Sequence, residues 1–128
     1  MNEEDSIIDS DSLACLTDMV LRFRDERQWA QFHNPKDMAI SLSLEAAELL
    51  ELMQWKNGAA LEQHLSAKRK ETGEELADVL YWTLLIARDL KIDLAAAFKQ
   101  KMASNALKYP IDKARGSSMK YTELDTGI

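Results

Sequence analysis

The sequence predicts an all-α protein of the four-helix-bundle kind, and three observations lead there. Only 4 Gly and 2 Pro occur in 128 residues, so the residues that punctuate β-rich folds are scarce. Apolar side chains recur at helical spacing through several long stretches. Capping residues, and in one case a proline, stand where those stretches begin. A chain of this length buries one core, so residues 1–128 are expected to form a single domain, with a helical core over about 12–110 and a C-terminal tail over about 111–128.

The first helix is predicted from the polar cluster at Ser10 to Ser12 as far as about Gln31. At about 100° per residue, Leu13, Leu16, Met19, Val20, Phe23 and Ala30 gather on one face, while Arg22, Arg24, Asp25 and Gln28 fall largely outside it. His33-Asn34-Pro35 is a break: Asn34 can cap, Pro35 suits the first helical position, and Asp37 faces the positive end of the helix dipole. A second helix then runs to about Lys56, with Asn57-Gly58 as its stop. Ala59 to Ser66 reads equally as a short helix or a loop. A third helix is predicted over roughly Ala67 to Leu90, and Asp93 caps a fourth that ends near Lys108, before Tyr109-Pro110.

Charge and cysteine content narrow the function. The 22 Asp and Glu against 16 Lys and Arg leave a net charge of −6, which argues against a nucleic-acid polymer as partner. A small anionic ligand stays open, because a divalent cation held by carboxylates reverses the local sign. One cysteine and two histidines form no internal disulfide and no Cys/His zinc site. The acidic start, with Glu3, Glu4, Asp5, Asp9 and Asp11, does not resemble a secretory signal, and no run of about 18 apolar residues predicts a membrane span. A cytoplasmic location is expected.

The placement of the acids is more informative than their number. On the second helix Leu42, Ala46, Leu49, Leu50, Leu52 and Met53 span an arc of roughly 160°, with Glu45 inside it and Glu48 about 60° away. Ile40, Leu44 and Ala47 make a second apolar patch. On the third, apolar residues from Leu76 to Ala87 leave one narrow stripe, occupied by Glu71, Glu75 and Asp78, with Trp82 one turn on; Glu74 projects elsewhere. Carboxylates embedded in apolar surface without a counter-charge are costly, so several together call for a cation. Glu45 with Glu48, and Glu75 with Asp78, are i,i+3 pairs that present carboxylates on adjacent turns. An all-oxygen site suits magnesium, manganese or calcium. A di-iron bundle would need Glu-x-x-His pairs, and neither His33 nor His64 follows an acid by three residues.

The strings W-A-Q-F-H-N-P at 29–35, E-A-A-E-L-L-E at 45–51, Q-W-K at 54–56, E-E-L-A-D-V-L at 74–80, K-M-A-S-N-A-L-K-Y-P at 101–110 and K-A-R-G-S-S-M-K-Y-T-E-L at 113–124 resemble, in order and spacing, the MazG-like all-α nucleoside triphosphate pyrophosphohydrolases. The likeness is to their compact single-domain branch, which includes the dCTP pyrophosphatases. The resemblance implies cleavage of a nucleoside triphosphate to monophosphate and pyrophosphate, Mg2+ as cofactor with Mn2+ as a substitute, and Glu45, Glu48, Glu75 and Asp78 as metal ligands. Glu48 is the candidate for taking the proton from the attacking water. Trp29, Trp55 and Trp82, with His33, are the implied base and sugar contacts; Trp82 stands where related sequences often carry Tyr. Lys101, Asn105, Lys108 and Tyr109 are the implied phosphate and sugar contacts, and Arg115 and Lys120 are further basic groups of the tail.

The expected substrate is dCTP or a related pyrimidine nucleotide, and the expected role is clearance of unwanted nucleotides. Two helices that are apolar on most sides exceed what a small monomer can cover, so a homo-oligomer is expected, a tetramer ahead of a dimer. The alternative, a non-catalytic helical module that binds a protein partner, accounts for the apolar faces and leaves the embedded acids unexplained.

Overall fold

The computed structural model describes residues 10–124; most of the acidic start, Glu3, Glu4, Asp5 and Asp9 included, lies outside the described residues. The chain is all-helical: α1 (Leu13–Glu26), a 3-10 turn (Ala30–Phe32), α2 (Pro35–Met53), α3 (Gly58–Ala67), α4 (Arg69–Asp89), α5 (Leu94–Lys108) and a short α6 (Ile111–Ala114). No strand occurs among the described residues, and none of the helices is long and apolar enough to cross a membrane.

Local chemistry explains the starts. The Ser12 hydroxyl accepts from the Cys15 amide at 3.2 Å, Asn34 Oδ1 from the Asp37 amide at 2.9 Å, and Asp93 Oδ1 from the Ala96 amide at 3.0 Å. Each satisfies a donor that the first helical turn leaves free. Pro35 occupies the first turn of α2, where its missing amide is no loss.

Several boundaries differ from expectation, each for a visible reason. The first helix stops at Glu26 rather than Gln31, because Gln28 takes a left-handed φ of 54° and the Arg27 and Trp29 amides both return to the Arg24 carbonyl. The second stops at Met53 rather than Lys56. Trp55 adopts a φ of 72° just beyond it, and Asn57-Gly58 begins α3 instead of ending α2. The segment left open between helix and loop is therefore helical. In the tail, α6 follows Pro110, and Tyr121 meets Tyr109 edge to face at 6.0 Å, with Lys108 Nζ 4.9 Å from the Tyr121 ring centre.

The chain divides into two compact units at Ile92/Asp93. In the first, α2 and α4 pack along each other, α1 lies on α4, and α3 touches both α2 and α4. Met38, Leu84, Leu85 and Ala87 form the buried centre. The predicted apolar arc of α2 is only partly used: Leu42, Leu49, Leu52 and Met53 are half-buried, whereas Leu50 and the second patch at Ile40 and Leu44 are exposed. Arg24 corrects the sequence reading. It was expected largely outside the apolar face, yet it is buried at 7% exposure, because Asp89 at the end of α4 accepts both ends of its guanidinium, at 2.7 and 2.9 Å. The second unit comprises α5, α6 and the following residues.

With so few fully buried side chains, each carries a large share of the first unit's packing. Leu85→Ala is expected to lower the unfolding free energy by about 2–5 kcal/mol, read as a shifted urea midpoint at fixed protein concentration.

Candidate functional site

The two helices that pack most closely carry the two acidic pairs. Glu45 and Glu48 sit one turn apart on α2, Glu75 and Asp78 one turn apart on α4, and one oxygen from each lies within 4.8 Å of the other three. Glu45 and Glu75 are half-buried, while Glu48 and Asp78 are exposed. Glu45 Oε2 and Glu75 Oε2 are buried with no hydrogen-bond partner.

Such an arrangement disfavours full ionisation. Burial, reinforced by the neighbouring Glu48 carboxyl and by the charges of Asp78 and Glu75, pushes the Glu45 carboxyl up to about 7. Glu75 is also raised, first by burial, then by Glu48 and the charges of Asp78 and Glu74. Unpartnered buried oxygens in a ring of like charges are the donor set that a hard divalent cation requires. These residues therefore fit a hard divalent cation, which would give the orphaned oxygens a partner and relieve the repulsion.

Beside this cluster opens a cavity of about 520 Å³ lined by Met19, Val20 and Phe23 of α1, Trp29, His33, Glu45, and Asp78, Tyr81 and Trp82 of α4. Its rings form one edge-to-face chain: Trp29 on Phe23 at 5.6 Å, Phe23 on Tyr81 at 6.1 Å, Tyr81 on Trp82 at 5.0 Å, and Trp82 on His33 at 5.2 Å. Contacts of this geometry add about 0.5–1.5 kcal/mol each beyond burial, so the rings hold one another in place. Glu45 and Asp78 belong to both the cavity and the acidic cluster. The space thus has an aromatic wall and a carboxylate end.

Of the aromatic residues singled out in the sequence, Trp29, His33 and Trp82 line this cavity and Trp55 does not. Trp55 is 89% exposed beyond the end of α2. Lys101, Asn105 and Lys108 share one face of α5 in the second unit, with Tyr109 at its C-terminal cap. Glu71 is exposed in the first turn of α4, and Glu74 is exposed with Lys70 Nζ at 4.0 Å. Sequence reasoning missed Met19, Val20, Phe23 and Tyr81, which read as core. A signal was present on α4, where Tyr81 and Trp82 follow Asp78 at i+3 and i+4 and so share its face.

The MazG-like family model matches residues 40–124. The chain belongs to the MazG-like family. The matched part of this MazG-like chain includes all four carboxylates and Trp82; Phe23, Trp29 and His33 precede it. Among curated relatives, dCTP pyrophosphatase 1 of Homo sapiens is 43% identical over 107 residues, and that of Rattus norvegicus 39%. Each alignment covers 82% of this chain and 63% of the relative, so the chain spans less than two thirds of the length of these relatives. The crystal structure of a pyrophosphatase from Archaeoglobus fulgidus is similar with a TM-score of 0.71 and 42% identity, covering 74% of this chain and 89% of that one.

The raised Glu45 carboxyl has a stability consequence with a definite sign. An unfolded glutamate titrates near 4.5 and the folded one at about 7, so between these values the folded state binds more protons, and this group's contribution to stability is lost as pH rises through 7. Without divalent cation, Glu45→Gln is therefore expected to be more stable than the parent at pH 8, with the difference shrinking towards pH 5. Thermal melts in chelator at the two pH values read this directly; equal differences at both would contradict it.

Proposed function

We propose that this chain is a magnesium-dependent nucleoside triphosphate pyrophosphohydrolase, in which water cleaves a (d)NTP between the α and β phosphates to give the monophosphate and pyrophosphate. The observation that carries the reading is the shared wall, where Glu45 and Asp78 of the acidic cluster open onto the aromatic cavity. A nucleotide has the matching halves: a flat apolar base and a polyphosphate that travels with a divalent cation. The family and the names of the relatives support the same reaction; the substrate in this reading is dCTP or a related pyrimidine nucleotide, and the role is nucleotide clearance in the cytoplasm.

Each side chain then has a task. Glu45, Glu48, Glu75 and Asp78 would hold the cation, Mg2+ or Mn2+. Once bound, it supplies positive charge to phosphate oxygens and lowers the pKa of water at the site. The Glu48 carboxylate, exposed and therefore reachable, takes the proton of the attacking water. Trp29 and Trp82 face the base, a contact of about 1–3 kcal/mol per stacked ring, and His33 offers a ring nitrogen to the sugar or base edge. Trp55, almost fully exposed, is free to meet a nucleotide or a second copy. Lys101 and Lys108 supply point charges for phosphate, and Asn105 and Tyr109 polar groups for the sugar.

Residues 1–128 act as one MazG-like domain that assembles through helix packing into a homo-oligomer, a dimer of dimers ahead of a dimer. Ile40, Leu44 and Leu50 on α2 and Phe98, Met102 and Leu107 on α5 are exposed apolar side chains, more than an isolated small chain sustains in water. A protein-interaction module would use the same surface but gives no account of the orphaned glutamate oxygens.

With Mg2+, the purified protein is expected to release pyrophosphate from at least one dNTP, and chelator abolishes the release. Glu48→Gln or Asp78→Asn lowers kcat at least a hundredfold, about 2.7 kcal/mol of barrier, while the helical CD spectrum is kept; full activity in both variants would refute the site. Sedimentation at micromolar concentration is expected to give a dimer or tetramer, and a monomer would refute the assembly.

A further inference from the structure

Arg24 is the one charged side chain that is buried among the described residues. Its guanidinium lies fork to fork on Asp89, Nη1 to Oδ2 at 2.7 Å and Nη2 to Oδ1 at 2.9 Å, tying the last turn of α1 to the last residue of α4. Only the Arg24 end of the pair is buried, and ion pairs even when buried contribute little net stability over well-packed apolar side chains, whereas a bidentate fork fixes orientation. What the pair orients follows from the main chain of the same residue. The Arg24 carbonyl accepts the Trp29 amide at 3.1 Å and the Arg27 amide at 3.3 Å, and Gln28 enters the left-handed region at φ 54° to allow that return. A residue with a side chain adopts that conformation when its surroundings impose it.

Trp29 and His33 flank the 3-10 turn that begins there, and both line the cavity. The charges of the pair bear on His33: burial lowers its pKa first, the Arg24 charge lowers it further, and Asp89 opposes. Arg24 Nε and His33 Nδ1 are each buried without a hydrogen-bond partner, so neither side chain is held at that atom by another group. We propose that the Arg24–Asp89 pair is a positioning clamp for the Trp29–His33 wall of the cavity, setting the affinity for the nucleotide without taking part in the chemistry. The proposal rests on the reading of the cavity as the nucleotide site. Neither residue belongs to the carboxylate cluster, so loss of the clamp separates nucleotide binding from metal binding and turnover.

The test compares the parent protein with Arg24→Gln, Asp89→Asn and Arg24→Lys, which keeps the charge but loses the fork. Dissolved protein is assayed for dCTP hydrolysis, for Mn2+ binding by electron paramagnetic resonance, and for the Trp29 indole and His33 imidazole signals by NMR without ligand. Arg24→Gln is expected to raise KM at least tenfold with kcat and Mn2+ affinity within twofold, to shift both NMR signals and to raise the His33 pKa; Arg24→Lys falls between it and the parent. If Arg24→Gln loses its helical CD spectrum, Asp89→Asn carries the same comparison for KM, kcat, Mn2+ affinity and the two NMR signals, with the His33 pKa lowered instead, since the Asp89 charge raises it. An unchanged KM, or a joint loss of KM, kcat and Mn2+ affinity, overturns the clamp. If the parent hydrolyses no nucleotide, the functional reading fails, and the clamp is judged on the two NMR signals, which overturn it by staying in place.

Discussion

Like-charge crowding between two packed helices is the constraint on which the rest of the first unit depends. α2 and α4 pack along each other, and that packing brings four carboxyl groups together with one oxygen of each inside 4.8 Å. Two of those groups have a buried oxygen without a partner, and burial raises both of their pKa values. Apolar packing elsewhere on α2 and α4, at Met38, Leu84 and Leu85, must hold the helices against this repulsion. A divalent cation held by the same cluster would convert it from a cost into an attraction.

The aromatic wall depends on the same helix pair. Tyr81 and Trp82 sit one turn beyond Asp78, and their rings continue to Phe23 and Trp29 on one side and to His33 on the other. The cavity therefore inherits its position from the acidic cluster, and a ligand that fills it meets carboxylates at one end and ring faces along its length. Arg24 and Asp89 pair where the last turn of α1 meets the end of α4. Charge is thus used twice in the unit: unpaired where a cation is to be received, and paired where the backbone is to be fixed.

Much of this was readable in the residues. Helical periodicity and caps at Ser12, Asn34 and Asp93 located the main helices, and wheel arithmetic set Glu45, Glu48, Glu75 and Asp78 apart from Glu74; it left Glu71 in the same stripe as Glu75 and Asp78, although Glu71 is exposed and outside the cluster. Periodicity describes one helix at a time, and the shortfalls follow from that. Arg24 looked solvent-facing on its own helix, because the partner that buries it lies 65 positions away. The early end of α1 depends on Gln28 taking a positive φ, which its residue type does not announce. Phe23 and Tyr81 read as core, because an apolar face lining a cavity and one filling a core have the same pattern. For Lys101, Asn105, Lys108 and Tyr109 pattern gave a shared face of α5 and its cap and no function, since the role expected of them rests on likeness to the family.

The most direct test of the central claim is a Mn2+ titration of the nucleotide-free protein at pH 8, followed by electron paramagnetic resonance. The account predicts saturable binding that is lost in Glu45→Gln and in Glu75→Gln, the two residues with orphaned oxygens, while both variants stay helical. Absence of saturable binding in the parent, or its persistence in both variants, would contradict the account.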